Sequence, residues 1–149
     1  MGYGTDGLTF NILRSANKIR MPLFKNARGE PARTELWTDA QWLQAVVGEL
    51  GEYANIRKKV DRGDFTIEEA KEDLGKEIAD TMIYLDLLAM KLGLDLGEVV
   101  MSKFNEVSRR IKCDVRISPD GYSTWPRDDY ERLETTCDTC GSSVACPHT

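Results

Sequence analysis

The fold of this chain is decided by residues 42–84, which read WLQAVVGELGEYANIRKKVDRGDFTIEEAKEDLGKEIADTMIY. This stretch contains two acidic motifs, Glu49-Leu50-Gly51-Glu52 and Glu77-Ile78-Ala79-Asp80. Residues three apart on an α-helix lie on the same face, so each motif presents two carboxylates side by side. Glu49 also continues the apolar stripe of Trp42 and Val46 at helical spacing. We therefore expect Glu49 to face the core.

Carboxylates on a core-facing stripe need a partner, because desolvation and mutual repulsion raise their pKa values. A hard divalent cation removes this conflict. Mg²⁺ prefers carboxylate oxygens, keeps several waters and commonly bridges to phosphates. One such acidic pair usually forms a solvated helix face, since charged side chains are mostly exposed. Two pairs on the apolar stripes of neighbouring helices favour a Mg²⁺ site that holds a polyphosphate.

Composition places the chain among single-domain globular proteins, with 149 residues, 41% hydrophobic and 30% charged. The net charge of −5 argues against a binder of nucleic-acid polymers. No apolar run is long enough to span a membrane, and no secretion signal is visible at the N-terminus. We expect a cytoplasmic protein whose four cysteines are reduced thiols or metal ligands.

Apolar periodicity, caps and breakers predict four helices, with short turns between the second, third and fourth. These helices cover about Thr9–Arg20, Thr38 or Asp39 to Arg62, Thr66 to Gly93, and Leu96–Lys112. Short turns favour antiparallel neighbours, so the predicted fold is all-α, an antiparallel four-helix bundle. We expect a helical domain over residues 1–112 and an irregular C-terminal extension over residues 113–149. In that extension, residues 114–117 alternate between polar and apolar side chains, and they either pair as a short strand or lie extended.

The third predicted helix is apolar almost all round from Ile78 to Leu92, which predicts the most buried helix of the bundle. Asp86 within it needs a partner. A long loop over residues 21–37 precedes the second helix and carries Lys25, Arg28 and Arg33. Such a loop either contacts the phosphates or base of a substrate or is an ordinary connection.

The two acidic motifs, with 24 residues between them, resemble the metal signature of the MazG-like, all-α nucleoside triphosphate pyrophosphohydrolases of phage and bacterial type. The similarity covers roughly residues 9–117. Residues 77–85 are similar to the second metal helix of that family, and residues 92–96 to the turn that follows it. Lys103-Phe104-Asn105 with Arg109 is similar to its last helix.

The resemblance implies Mg²⁺-dependent hydrolysis of an NTP, or more specifically a dNTP, between the α- and β-phosphates, with Mn²⁺ as a substitute cation. It assigns metal binding and catalysis to Glu49, Glu52, Glu77 and Asp80. The candidates for substrate binding are Trp42, Lys58, Lys59, Lys76, Tyr84, Lys103, Asn105 and Arg109, with Trp37 as a further base-pocket aromatic. A homodimer or homotetramer is implied as well.

The tail carries a second set of metal-ligand residue types: Cys137, Cys140, Cys146 and His148. Structural Zn²⁺ sites have four ligands, each a cysteine or a histidine, and the first two are often in a C-x-x-C motif. The tail is therefore either a zinc site or a mobile, reduced segment. Two other functions remain open: a nucleotide-binding regulatory module with little turnover, and a helical interaction protein with a zinc-binding tail.

Overall fold

The computed structural model describes residues 7–124, which divide into two compact units, one ending at Gly97 and the other beginning at Glu98. The elements are α1 (Phe10–Arg20), α2 (Asp39–Asp61), α3 (Ile67–Lys91), α4 (Leu96–Arg110), β1 (Val115–Ser118) and β2 (Gly121–Thr124). The described part is thus mostly helical with one small sheet, which confirms the predicted helices. None of the helices within residues 7–124 is both long and apolar enough to cross a membrane.

Local sequence sets where α2 and α3 begin. The Oγ1 of Thr38 accepts from the Gln41 backbone N–H at 3.3 Å, and the Gln41 side chain accepts from the Thr38 N–H at 2.9 Å. Thr66 and Glu69 form the same reciprocal capping box before α3. Each box satisfies two backbone donors that a helix start leaves unpaired. Both predicted starts are therefore correct.

In the first unit, α2 and α3 form an antiparallel helical hairpin. Gly63 makes the turn between them with φ 80°, a left-handed conformation that glycine adopts without steric cost. Trp42 and Val46 from α2, and Ala70 and Leu74 from α3, are buried in its core. The hairpin therefore fixes the faces of α2 and α3 that carry the two acidic motifs.

Among the helices of residues 7–124, α3 has the most buried side chains, as predicted, although its apolar surface is not covered all round. Ile78 and Met82 are exposed, whereas Asp86, Leu87 and Ala89 are buried. The reason is that α1 contacts α3 through residues of its C-terminal half, where Asp86 meets the side chains of α1. One side of α3 beyond α2 is left open at Ile78 and Met82.

The loop between α1 and α2 is more ordered than the predicted irregular connection. It contains two 3₁₀ turns, Met21–Leu23 and Thr34–Leu36, and a β-bridge between Lys25 and Pro31. The buried hydroxyl of Thr34 donates to the Met21 carbonyl at 2.9 Å, which ties the two ends of the loop together.

In the second unit, β1 and β2 pair antiparallel, with Val115 opposite Thr124 and Ser118 opposite Gly121. The described part of the extension therefore contains a β-hairpin over residues 115–124, and of the two alternatives for residues 114–117 the short paired strand is confirmed. The Asn105 side chain of α4 holds β1 by two hydrogen bonds of 2.8 Å to the backbone of Ile117. The predicted Cys137, Cys140, Cys146 and His148 cluster lies outside the described residues.

Candidate metal centre

Three of the four predicted carboxylates converge on one side of the α2–α3 hairpin. One oxygen each from Glu49, Glu52 and Glu77 lies within 4.8 Å of the others. Two ligands on opposite sides of one cation are separated by about 4.2 Å for Mg²⁺ and about 5 Å for Ca²⁺, twice the metal–oxygen distance. The three oxygens thus lie close enough to share a hard cation after only small side-chain movements.

Electrostatics within this acidic cluster are unfavourable. The pKa of Glu49 is raised above 4.5, first by burial and then by the charges of Asp80, Glu52 and Glu77. A hydrogen bond between the Glu49 and Glu77 carboxyl groups also raises it, since such a bond needs one proton between the two groups. Asp80 is exposed one turn beyond Glu77 on α3. All four predicted acids therefore belong to one electrostatic group.

The four acidic side chains differ in their exposure to solvent. Glu49 and Glu77 are half-buried, whereas Glu52 and Asp80 are exposed. The cluster is consequently an open, surface-facing group and not the enclosed interior site that the apolar stripes suggested. An open arrangement leaves room for a solvated cation and for a large anionic ligand.

A row of three aromatic rings borders the carboxylates. The centroids of Trp37 and Trp42 are 4.7 Å apart, and those of Trp42 and Tyr84 are 6.1 Å apart. Trp42 is 1% exposed, so a ligand does not reach its ring, while Trp37 and Tyr84 on either side are half-buried. Burial raises the pKa of Tyr84, and so do the charges of Glu49 and Asp80. The Tyr84 phenol is therefore close enough to the acidic cluster for the charges of Glu49 and Asp80 to affect its pKa.

Arg20 is a cation at this site that the sequence analysis missed. Its charge opposes the other influences on Tyr84 and lowers the pKa of that phenol. Its guanidinium donates to Oδ1 of Asn17 at 3.1 Å and lies 5.7 Å from the centre of the Phe24 ring. The only signal in the sequence was a basic residue in the last turn of α1, which also suits the helix dipole.

The predicted phosphate ligands of the first unit lie on solvent-facing surfaces. Lys76 bridges Glu72 and Asp73 on α3 at 3.0 and 2.8 Å, and hydrogen bonds to these carboxylates raise its pKa. Lys58 donates to Asn55 at 3.1 Å, and Lys59 is exposed. These side chains would have to leave their present partners, or reorient, to contact a phosphate.

The remaining predicted ligands belong to the second unit. Lys103 pairs with Glu106, and Arg109 is exposed. The side-chain amide of Asn105 is occupied by Ile117. Its nitrogen donates to the Ile117 carbonyl, and its oxygen accepts from the Ile117 N–H. Asn105 therefore has a structural role in holding the β-hairpin, and a role of these three residues toward phosphate stays a prediction.

Comparison of the chain with protein-family models, with curated proteins and with solved structures found no match.

Proposed function

We propose that the chain is a Mg²⁺-dependent nucleoside triphosphate pyrophosphohydrolase, with dNTPs as its main substrates. The observation that carries the proposal is the convergence of Glu49, Glu52 and Glu77 within 4.8 Å, with Asp80 adding its charge to the group. It agrees with the roles that the resemblance to the MazG-like family implies. The proposed complete fold is the antiparallel four-helix bundle of that family.

The donor set fits Mg²⁺. All the converging groups are carboxylates, which are the hard oxygen ligands that this cation prefers. Among them Glu52 is exposed, as is the neighbouring Asp80, so that the cation can keep several waters. Glu49, Glu52, Glu77 and Asp80 would hold the cation or cations. When bound, Mg²⁺ supplies charge neutralisation of a triphosphate, polarisation of the α-phosphoryl oxygen and a lower pKa for an attacking water.

The other residues of the site supply orientation and charge. Glu52 is exposed, and its carboxylate is the group we assign to orient the attacking water by accepting a hydrogen bond. Trp37 and Tyr84 flank the buried Trp42 and offer half-buried aromatic surface for a base. Arg20 brings a permanent positive charge to the same neighbourhood and is our candidate for a phosphate contact.

The test is incubation of the full-length protein with each NTP and dNTP in the presence of Mg²⁺. The products to measure are pyrophosphate and the nucleoside monophosphate, because orthophosphate release would indicate cleavage at a different bond. Glu77→Gln keeps the size of the side chain and removes its charge, and it should abolish pyrophosphate release because a proposed metal ligand is lost. Glu68→Gln, an exposed acid at the start of the same helix, is the matched control and should retain activity.

Three results would contradict the proposal. Nucleotide binding without product would favour a regulatory module with little turnover. Unchanged activity in Glu77→Gln would show that Glu77 is not part of the active site. Failure to bind nucleotides at all would favour a helical interaction protein.

A further inference from the structure

A series of polar contacts runs from the buried half of α3 through α1 to the surface. Asn17 is 1% exposed, and its side-chain nitrogen donates to Oδ2 of Asp86 at 2.9 Å. The other carboxylate oxygen of Asp86 accepts from Nε of Arg14 at 2.8 Å. The side-chain oxygen of Asn17 in turn accepts from the guanidinium of Arg20 at 3.1 Å. Asn17 thus connects a buried carboxylate to an exposed cation.

The chemistry of these groups permits one orientation of the Asn17 amide. An ionised carboxylate only accepts hydrogen bonds, whereas a guanidinium only donates them. The amide nitrogen must therefore face Asp86, and the amide oxygen must face Arg20. The reversed amide would place two acceptors together at Asp86 and two donors together at Arg20, and unpaired polar atoms are costly at a buried position. Asp86 consequently fixes the direction in which Asn17 presents its oxygen.

Arg20 is held from a second side by an aromatic ring. Its guanidinium carbon lies 5.7 Å from the centroid of the Phe24 ring, within the range of a cation–π contact. Long exposed side chains lose conformational entropy when a ligand fixes them in one geometry. The hydrogen bond to Asn17 and the contact with Phe24 restrict Arg20 before any ligand arrives, so less entropy remains to be lost on binding.

The charge of Arg20 is left available to an external anion. Its side chain forms no ion pair with a carboxylate of residues 7–124, and its hydrogen bond there goes to a neutral amide. Its charge nevertheless reaches Tyr84, where it lowers the pKa of the phenol while Glu49 and Asp80 raise it. The guanidinium therefore lies in the neighbourhood of the acidic cluster without being neutralised by it.

We propose that Asn17 is a positioning residue, which holds the Arg20 guanidinium toward the phosphates of a Mg²⁺-bound polyphosphate. This inference rests on the proposed function, since it takes the acidic cluster as the Mg²⁺ site. Asn17 is buried and does not contact the ligand. It acts through Arg20, because a cation that is already oriented binds at a lower entropic cost than a mobile one.

The first test measures the mobility of Arg20 without any ligand, by nitrogen NMR relaxation of the arginine Nε–Hε groups in the full chain. Arg20 should be clearly more rigid than Arg28, an exposed arginine whose side chain has no hydrogen-bond or ion-pair partner within residues 7–124. Asn17→Leu keeps the side-chain volume and removes both hydrogen bonds, so it should bring Arg20 to the mobility of Arg28. Ser15→Ala, an exposed change on the same helix, is the matched control and should leave Arg20 rigid.

The second test measures the dissociation constant of inorganic tripolyphosphate in the presence of Mg²⁺, by titration calorimetry. Arg20→Gln should weaken binding roughly tenfold, because a hydrogen bond between charged groups is lost. Asn17→Leu should weaken it roughly threefold, because Arg20 keeps its charge but must then be ordered on binding. The double variant should bind no more weakly than Arg20→Gln alone, since a positioning residue acts only through the residue that it positions.

A further variant covers the case in which Asn17→Leu does not fold, because that substitution takes a hydrogen bond from the buried Asp86. Phe24→Leu keeps an apolar side chain on the loop and removes the ring on which Arg20 lies. It should also make Arg20 more mobile and weaken tripolyphosphate binding roughly twofold. Circular dichroism confirms that each variant is folded before its binding is measured.

Three outcomes would overturn the proposal. An Arg20 side chain as mobile as Arg28 in the wild type would show that Asn17 does not hold it. Unchanged tripolyphosphate binding in Arg20→Gln would show that Arg20 does not contact phosphate. Equal weakening by Asn17→Leu with and without Arg20 would give Asn17 a structural role only.

The proposed function fails in a different way. Tripolyphosphate binding that depends on Asn17 and Arg20, without pyrophosphate release from any nucleotide, would contradict the pyrophosphohydrolase activity and support the positioning role. Nucleotide hydrolysis with unchanged tripolyphosphate binding in Arg20→Gln would do the reverse.

Discussion

The Nε of Arg14 lies 2.8 Å from Oδ1 of Asp86 and joins α1 to the buried half of α3. Asp86 is fully buried, and its second oxygen accepts a hydrogen bond from Asn17 at 2.9 Å. The Arg14 guanidinium also donates to the backbone carbonyls of Asp86 and Leu94. Both carboxylate oxygens of Asp86 therefore accept hydrogen bonds from α1, and these bonds tie α1 to α3.

Arg14→Ala should destabilise the protein strongly, because it leaves the Asp86 carboxylate buried without its cation. Breaking a buried pair from one side costs roughly 3–5 kcal/mol. The measurement is urea denaturation followed by circular dichroism. Lys18→Ala removes an exposed cation of the same helix and should change the unfolding free energy little. Equal effects of the two substitutions would contradict a special role for the Arg14–Asp86 pair.

Stability should depend on pH through Glu49. Burial and then three neighbouring carboxylates raise its pKa above 4.5 in the fold, so folding favours the protonated form. This contribution to stability is complete below the unfolded value of 4.5 and is lost as the pH rises through the higher folded value. Without divalent cations, the melting temperature should therefore fall over this window more in the wild type than in Glu49→Gln. Parallel profiles for the two proteins would argue against repulsion at Glu49.

Mg²⁺ should raise the melting temperature at neutral pH. A ligand that binds only the folded state stabilises it by about 2.7 kcal/mol at a concentration 100 times its dissociation constant. Glu49→Gln should remove most of this shift and start from a higher melting temperature without metal, because one repelling charge is gone. The same Mg²⁺ shift in both proteins, measured by scanning calorimetry, would place the cation elsewhere.

Trp37 and Trp42 should respond differently to truncation. Trp42 is 1% exposed, so Trp42→Ala should cost about 3–5 kcal/mol of stability. Trp37 is half-buried at the edge of the aromatic row, so Trp37→Ala should leave the fold intact and raise the KM for nucleotides about tenfold, as expected for a lost base stack. Steady-state kinetics and thermal melts on both variants separate the roles. An unchanged KM in Trp37→Ala would exclude Trp37 from the base contact.

Asn105→Ala should loosen the β-hairpin of the second unit. The substitution removes two hydrogen bonds to the backbone of Ile117, each with a net contribution of about 1 kcal/mol. Hydrogen exchange at the Ile117 amide should become faster, while Ser102→Ala, an exposed change on the same helix, should leave it unaltered. Unchanged exchange in Asn105→Ala would show that the strand is held by other contacts.

Several features of the first unit were predictable because their causes lie within a few residues. The capping boxes at Thr38 and Thr66 are decided by side chains three positions apart. The proximity of Glu49 and Glu77 was also inferable, since each lies on the stripe that faces the neighbouring helix. The approach of Arg20 to Tyr84 could not be inferred in this way, because it depends on how α1 packs against α3.

By itself, the sequence determined the helices, their caps, the α2–α3 hairpin and the gathering of acidic side chains on it, because each follows from spacing along one or two helices. Tertiary structure alone decided the partners of Asp86 and the exposure of Ile78 and Met82. It also decided that the Asn105 side chain forms hydrogen bonds to the backbone of β1. A periodic pattern states which faces of a helix are apolar. Which of those faces another element covers depends on contacts between segments far apart in the chain, and no local pattern encodes that choice.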